Sequence, residues 1–180
     1  MEKTLQSETV YGGRKLRLQV DQVELPSGRR TTREVVYHPG SVGIVPVTRE
    51  GDVFLIKQYR YAVGSAIYEI PAGTMEKWES PEKCAMRELE EETGFIARKL
   101  EKLGQFYTSP GIMNEIMHLY KPTHLVKAGK TRPPEEENIE VVRIRLSQAM
   151  DMIKKGEITD GKTICGIFWV VCAAPTKETY

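Results

Sequence analysis

Residues 73–95 read Gly-Thr-Met-Glu-Lys-Trp-Glu-Ser-Pro-Glu-Lys-Cys-Ala-Met-Arg-Glu-Leu-Glu-Glu-Glu-Thr-Gly-Phe, with seven glutamates in one stretch. Ser80 suits a helix N-cap, Pro81 suits the first helical position, and Gly94 suits the residue that ends a helix. The stretch therefore predicts a helix of roughly three to four turns between Ser80 and Gly94, at about 3.6 residues per turn.

The predicted helix has an acidic face beside an apolar one. Glu88, Glu91 and Glu92 are spaced i, i+3 and i+4, so their carboxylates lie on the same side. The neighbouring apolar residues would anchor the helix to a core: Ala85, Met86 and Leu89. Three carboxylates on one face repel each other, whereas a hard divalent cation such as Mg²⁺ prefers oxygen ligands of this kind.

Two interpretations of this acidic face are open, a solvated helix surface and a metal site. A helix that only needs to be soluble has no requirement for Arg87 beside the glutamates, nor for Gly73 and Glu79 ahead of them. These three residues favour the metal site, and with it chemistry on a diphosphate.

The stretch resembles the Nudix box, G-x5-E-x7-R-E-U-x-E-E-x-G-U, in which U is a bulky aliphatic or aromatic residue. All nine specified positions are filled: Gly73, Glu79, Arg87, Glu88, Leu89, Glu91, Glu92, Gly94 and Phe95. The resemblance implies metal-dependent hydrolysis of a nucleoside diphosphate linked to a further group. It also implies that Glu88 and Glu92 bind metal, that Glu91 binds metal or assists catalysis, and that Arg87 orients the glutamates.

Composition limits the other classes of function. The chain has 180 residues, 40% of them hydrophobic, and a net charge of +1 without a basic block, so we expect a globular protein that binds no nucleic acid. Its first eight residues lack the apolar core of a signal peptide, and its longest apolar run, 164–174, is far shorter than the ~20 residues of a membrane span. Three cysteines without a C-x-x-C pattern indicate reduced thiols and a cytoplasmic location. Cys84 could be a packed thiol or a metal ligand, and we favour the packed thiol.

Periodicity predicts strands first and helices late in the chain. The predicted strands are 16–20, 33–37, 42–47, 53–58, 67–70, 99–107, 116–122 and 139–146. Ser147 is expected to cap a helix that continues to residue 155. Asp160 is expected to cap a final helix, or a buried strand as the alternative, with Ile164, Phe168, Val171 and Cys172 on the apolar face.

Outside the box, four segments could serve the same site. A backbone carbonyl of Pro71-Ala72 could complete a metal shell, and the acidic loop 133–138 could supply a base. Arg33 and Arg60 could contact phosphate. Taken alone, the loop and the arginines are better interpreted as solvated surface. Given a metal site that needs a mobile base, the functional interpretation of the loop is favoured.

The segments Pro-Ala-Gly at 71–73, Gln-Tyr-Arg at 58–60 and Thr-Ser-Pro-Gly at 108–111 resemble the ADP-ribose pyrophosphatase branch of the family, with Pro110 sixteen residues beyond Gly94. Carried over by position, the resemblance makes the Ala72 carbonyl and the Glu137 carboxylate metal ligands, and Glu135 the general base. It gives substrate contacts to Arg33, Arg60, Gly111 and Glu115, and supporting roles to Gly73, Glu79 and Gly94.

The expected function is Mg²⁺- or Mn²⁺-dependent hydrolysis of nucleoside diphosphate sugars, with ADP-ribose giving AMP and ribose 5-phosphate. The alternatives are GDP-mannose or another nucleotide sugar, an oxidised nucleotide, or a non-catalytic nucleotide-binding regulator. The resemblance implies an α/β fold, an α/β/α sandwich with a mixed sheet over 41–180 and an antiparallel β-hairpin extension over 1–40. The apolar residues Leu16, Leu18 and Val20 on that hairpin, 15–37, predict a homodimer.

Overall fold

The computed structural model describes residues 1–128 and 138–173. Ten strands and three helices follow one another along the described chain: β1 (Lys3–Gly12), β2 (Arg17–Glu24), β3 (Arg30–Tyr37), β4 (Ser41–Ile44), β5 (Asp52–Arg60), β6 (Ser65–Glu69), β7 (Ala72–Thr74), α1 (Pro81–Thr93), β8 (Phe95–Tyr107), β9 (Ile116–Lys127), β10 (Glu140–Arg145), α2 (Leu146–Lys154) and α3 (Gly161–Ala173). No helix in these two ranges is long and apolar enough to span a bilayer.

The strands form three sheets, of order β7-β4-β9-β8, β10-β5-β6 and β1-β2-β3. The first sheet is mixed, because β4 pairs with β9 in parallel while the β4–β7 and β8–β9 pairs are antiparallel. The other two sheets are antiparallel. This arrangement confirms the predicted α/β class with a mixed sheet and N-terminal antiparallel strands.

Helix α1 covers one face of the mixed sheet. Ser80 has an extended backbone, and its side-chain oxygen accepts a hydrogen bond from the Lys83 amide, while Gly94 ends the helix with φ 72°. Both caps agree with the prediction. The helix packs on β4, β8 and β9 through one buried cluster: Val42, Ile44, Cys84, Ala85, Leu89, Leu100 and Tyr120.

Helices α2 and α3 and the strand β5 cover the opposite face, around a second core: Val45, Val53, Leu55, Ile70, Met117, Leu119, Ala149, Met152, Ile158, Ile167 and Val170. Helix α3 approaches closely because Gly166 lacks a side chain, and a Cβ there would lie 2.9 Å from Val45 Cγ2. Two layers of helix thus enclose the sheet.

Two predictions about these helices were wrong. The buried residues of α3 are Thr163, Gly166, Ile167 and Val170, whereas the predicted inward residues Phe168, Val171 and Cys172 are exposed. The predicted cap of α2, Ser147, lies inside the helix; Arg145 holds the cap position and makes no side-chain capping bond. The final segment is a helix capped by the Asp160 carboxylate, which accepts a hydrogen bond from the Thr163 amide at 3.0 Å.

The N-terminal extension has three strands, because β1 pairs along β2 where the sequence predicted only a hairpin. Every residue of β1 is exposed. The sheet joins the rest of the chain through Val36, whose amide donates to the Ile112 carbonyl at 2.8 Å and whose carbonyl accepts from Asn114 at 3.2 Å. Its β1–β2 turn, residues 13–16, is closed by a 2.9 Å hydrogen bond from the Gly13 amide to the Leu16 carbonyl.

Candidate active site

An open cleft of about 1520 Å³ lies where β7, α1, the start of α3 and the β1–β2 turn meet. Seven of the residues that the sequence assigned to a site line this cleft: Arg60, Ala72, Gly73, Arg87, Glu88, Glu92 and Glu115. The fold therefore brings residues from four separate segments into one place.

Arg87 is the centre of a carboxylate network. Its Nη1 donates to Glu88 Oε1 at 2.7 Å and to Glu91 Oε2 at 3.0 Å. Its Nε and Nη2 donate to the two oxygens of Glu79, each at 3.0 Å. The Arg87 guanidinium lowers the pKa of Glu79 to about 2. One arginine thus fixes three carboxylates, which is the orienting role that the family resemblance implies for it.

Gly73 and Glu88 fit together because the glycine has no side chain. A Cβ at position 73 would lie 1.8 Å from Glu88 Oε1 and 1.9 Å from Glu88 Cδ. The Glu88 carboxylate therefore lies directly against the backbone of β7. Beside it, Glu92 Oε2 accepts a hydrogen bond from the Ala72 amide at 2.8 Å. Both glutamates are buried, with 8% and 3% of their surface exposed.

The oxygen donors of these carboxylates suit a hard divalent cation. Two buried carboxylates and a half-buried Glu91 offer only oxygen donors, the ligands that Mg²⁺ and Mn²⁺ accept. Buried carboxylates also need compensating positive charge, because desolvation penalises them. In the described parts of the chain, no three His, Cys, Asp or Glu side chains converge as a preformed metal site. Glu88 and Glu91 each accept a hydrogen bond from Arg87.

Cys84 lies next to this network but behaves as a packed thiol. It is fully buried, its Sγ donates to the Thr74 carbonyl at 3.7 Å, and it accepts from Arg87 Nη2 at 3.4 Å. Burial raises the pKa of the thiol, which disfavours the thiolate that metal binding requires. The structure agrees with the packed-thiol interpretation.

Glu115 also lines the cleft. Its Oε1 accepts from Ser41 Oγ at 2.5 Å, and its Oε2 accepts from Thr108 Oγ1 at 2.7 Å. His38 Nδ1 is 3.4 Å from the same carboxylate. Strands β4 and β9 and the loop after β8 therefore hold this acid in place. Gly111, in the loop between β8 and β9, does not line the cleft.

Arg33 lies away from the cleft of its own chain. It is exposed on β3 and pairs with Glu2 at 2.6 Å. Two cations that the sequence interpretation missed, Arg14 and Lys15, line the cleft from the β1–β2 turn. Neither makes an ion pair with any residue in the described ranges. The only signal in the sequence was a basic pair directly after Gly12-Gly13. Glu135 and Glu137 lie outside the described residues.

Comparison with known proteins gives two family matches. The NUDIX domain matches residues 37–165, and the nucleoside diphosphate sugar hydrolase N-terminal domain matches residues 2–36. The ADP-ribose pyrophosphatase of Bacillus subtilis (strain 168) is 44% identical over 167 residues, covering 92% of this chain and 90% of the relative. The methanol dehydrogenase activator of Bacillus methanolicus is 42% identical over the same shares.

A GDP-mannose pyrophosphatase of Escherichia coli (strain K12) is 37% identical over 127 residues, covering 65% of each chain. A crystal structure of an ADP compounds hydrolase superposes with a TM-score of 0.83 at 24% identity, covering 94% of this chain and 92% of the other. This structural likeness concerns the fold alone.

Proposed function

The chain belongs to the Nudix family, and from that membership we propose that it hydrolyses ADP-ribose to AMP and ribose 5-phosphate. As a Nudix pyrophosphohydrolase it cleaves a nucleoside diphosphate sugar and needs a divalent metal. The finer choices, ADP-ribose as the substrate and Mg²⁺ as the metal in place of Mn²⁺, are our proposal. The similarity to the Bacillus subtilis and Mycobacterium tuberculosis ADP-ribose pyrophosphatases, at 44% and 34% identity, supports the substrate.

The observation that carries the proposal is the fixed carboxylate group on α1. Arg87 holds Glu88 and Glu91 on the helix and Glu79 just before it, while the Ala72 amide holds Glu92. Glu88 and Glu92 line the cleft. We assign metal binding to Glu88, Glu91, Glu92, the Ala72 carbonyl and Glu137. A bound Mg²⁺ would neutralise charge on the phosphoryl oxygens and acidify the attacking water.

The chain's other residues then bind and orient the substrate. Arg60 lines the cleft and is our candidate contact to the diphosphate. Arg14 and Lys15 also line the cleft and would add positive charge that attracts an anionic substrate to a site rich in glutamates. Glu115, fixed by Ser41 and Thr108, would position ligands in the cleft.

We assign the general base to Glu135, in the late acidic loop. A base at this place would take the proton of the attacking water, an effect typically worth about 10²–10⁴-fold in rate. The loop lies outside the described residues, so this assignment is based on the family resemblance together with the sequence.

We further propose a homodimer that acts in the cytoplasm. Leu16 is 38% exposed and Tyr11 is 58% exposed on the N-terminal sheet, whose strand β1 is exposed throughout. A second copy packed on this sheet would cover them and could bring Arg33 to the partner's cleft. The three cysteines, Cys84, Cys165 and Cys172, are free, in keeping with a reducing compartment.

A nucleotide panel tests the substrate. Purified protein with Mg²⁺ would be given ADP-ribose, GDP-mannose and an oxidised nucleoside triphosphate, and the products separated by chromatography. We expect kcat/KM to be highest for ADP-ribose, with AMP released. A preference for GDP-mannose, with GMP released, would replace our substrate by the second candidate, which the E. coli relative supports. Release of pyrophosphate from the triphosphate, or binding without turnover, would refute the proposal.

A further inference from the structure

Glu69, at the end of β6, is a buried carboxylate between two cations. Only 2% of its surface is exposed. Arg60 on β5 donates to it through Nε at 2.8 Å and through Nη2, and Lys162 on α3 places Nζ 2.9 Å from Oε2. Burial by itself raises the pKa of this carboxyl, but Arg60 and Lys162 outweigh burial and hold the pKa below its ordinary value. Glu69 is therefore held as a carboxylate.

The pairing uses one edge of the Arg60 guanidinium. Nε and Nη2 face Glu69, and Nη1 takes no part in the pair. The Arg60 side chain is 38% exposed and lines the cleft, where the charge of Glu92 also acts on it. Because the guanidinium is planar and rigid, fixing one edge fixes the direction in which the other edge points. That other edge is available to a phosphate oxygen.

The same network continues into the start of α3. Lys162 Nζ also lies 3.0 Å from Asp160 Oδ1, and Asp160 Oδ2 accepts hydrogen bonds from the amide and hydroxyl of Thr163. The Thr163 hydroxyl oxygen accepts from the Ile70 amide at 2.7 Å. Ile70 is followed directly by Pro71 and Ala72, the segment beside the carboxylate group. The network thus ties strand β5, strand β6 and helix α3 together, and Arg60, Asp160 and Lys162 of this network line the cleft.

We propose that Glu69 is a positioning residue that holds Arg60 in the orientation needed to bind the substrate's diphosphate, with Lys162 fixing Glu69 from the other side. The proposal rests on the proposed function, since it concerns the same substrate. A buried ion pair contributes little net stability relative to apolar packing, because desolvation offsets its attraction. If Glu69 orients Arg60, its binding to only the Nε–Nη2 edge is explained, because the rest of the Arg60 guanidinium is then left to face the cleft.

The chain offers a matched control for the test. Asp52, on the same strand as Arg60, is also a buried carboxylate with 8% exposure, and it pairs with Arg143 at 2.7 Å and Arg145 at 3.1 Å. It does not line the cleft. Asp52→Asn therefore breaks a similar pair of ion contacts without touching the site.

The experiment compares four variants with the wild type: Glu69→Gln, Arg60→Lys, the double variant and Asp52→Asn. For each protein we would measure the melting temperature, KM and kcat for ADP-ribose, and the affinity for inorganic pyrophosphate in EDTA by calorimetry. A hydrogen bond to a charged group is worth about 1.5–3 kcal/mol, so we expect Glu69→Gln to raise KM about tenfold or more. We expect kcat to change less than about threefold, and the double variant to be no worse than Arg60→Lys, because Glu69 acts through Arg60. Asp52→Asn should lower the melting temperature and leave KM unchanged.

Should Glu69→Gln fail to fold, Glu69→Asp retains the charge and shortens the side chain. We then expect a near-normal melting temperature with a raised KM. An unchanged KM in the folded Glu69 variant, or effects of Glu69 and Arg60 that multiply in the double variant, would overturn the proposal. If the wild type does not hydrolyse ADP-ribose, the proposed function fails. The role of Glu69 is then decided separately, by comparing the pyrophosphate affinity of the Glu69 variant with that of the wild type.

Discussion

Replacing Gly73 by alanine should disable the site through one steric contact. The added Cβ would lie 1.8 Å from Glu88 Oε1, whereas non-bonded heavy atoms meet at about 3.5 Å, so the carboxylate must move by about 1.7 Å. That movement would also break the 2.7 Å hydrogen bond from Arg87 Nη1. Misplacing a reacting or ligating group by about 1 Å can cost about 10²-fold, so kcat/KM for ADP-ribose should fall at least about 100-fold.

The assay is AMP release at saturating Mg²⁺, measured together with the melting temperature. Gly73 does not have a positive φ, so alanine is compatible with its backbone and the fold should persist. Gly12→Ala is the matched control, since a Cβ there meets nothing within 4 Å. If Gly73→Ala kept more than about a third of wild-type kcat/KM, the packing of Glu88 against β7 would have no role in catalysis, and this reasoning would be refuted.

Three further predictions concern Trp78, Glu79 and the two late glutamates, Glu135 and Glu137. Trp78 is 93% exposed with φ 69°, which costs a bulky residue about 1–2 kcal/mol, so Trp78→Gly should raise the melting temperature by about 2 °C; an unchanged or lower value would contradict this. Since Arg87 holds the pKa of Glu79 at about 2, against an ordinary 4.5, the stabilisation from Glu79 is full above about pH 4.5 and is lost as the pH falls toward 2. Melting temperatures of wild type and Glu79→Gln should therefore converge on acidification, and a constant gap would argue against the ion pair. Glu135→Gln should lower kcat with KM largely kept; if Glu137→Gln gave the larger loss with unchanged metal affinity, the roles of these two glutamates would be exchanged.

Local signals in the sequence were sufficient for the centre of the site. The caps Ser80 and Gly94 delimit α1, and the i, i+3, i+4 spacing of the glutamates determines their common face whatever packs around the helix. The requirement for Gly73 was visible as a motif position. Its physical cause, the close approach of Glu88, needed coordinates because the two residues are distant in sequence.

Elements without a clear apolar period were missed or misoriented. Strand β1 has no buried residue, so its sequence shows no alternation of apolar and polar residues that would predict a strand. Because β1 was not predicted, the ion pair between Arg33 and Glu2 was not predicted either. Helix α3 is apolar on several sides. Its inward face is determined by the close packing of Gly166 and by the hydrogen bond that the Thr163 hydroxyl oxygen accepts from the Ile70 amide. Periodicity of large apolar residues therefore indicated the wrong face.

The central claim, that carboxylates of α1 hold the metal for diphosphate hydrolysis, is tested most directly by titrating Mg²⁺ into metal-stripped wild type and Glu92→Gln during ADP-ribose turnover. Glu92 is buried beside the Ala72 amide, and the substitution keeps its size while removing its charge. We predict no turnover by the wild type in EDTA, full recovery with Mg²⁺, and at saturating Mg²⁺ a loss of about 100-fold or more in Glu92→Gln with an intact fold. Wild-type turnover in EDTA, or a Glu92→Gln rate within about threefold of wild type at saturating Mg²⁺, would contradict the claim.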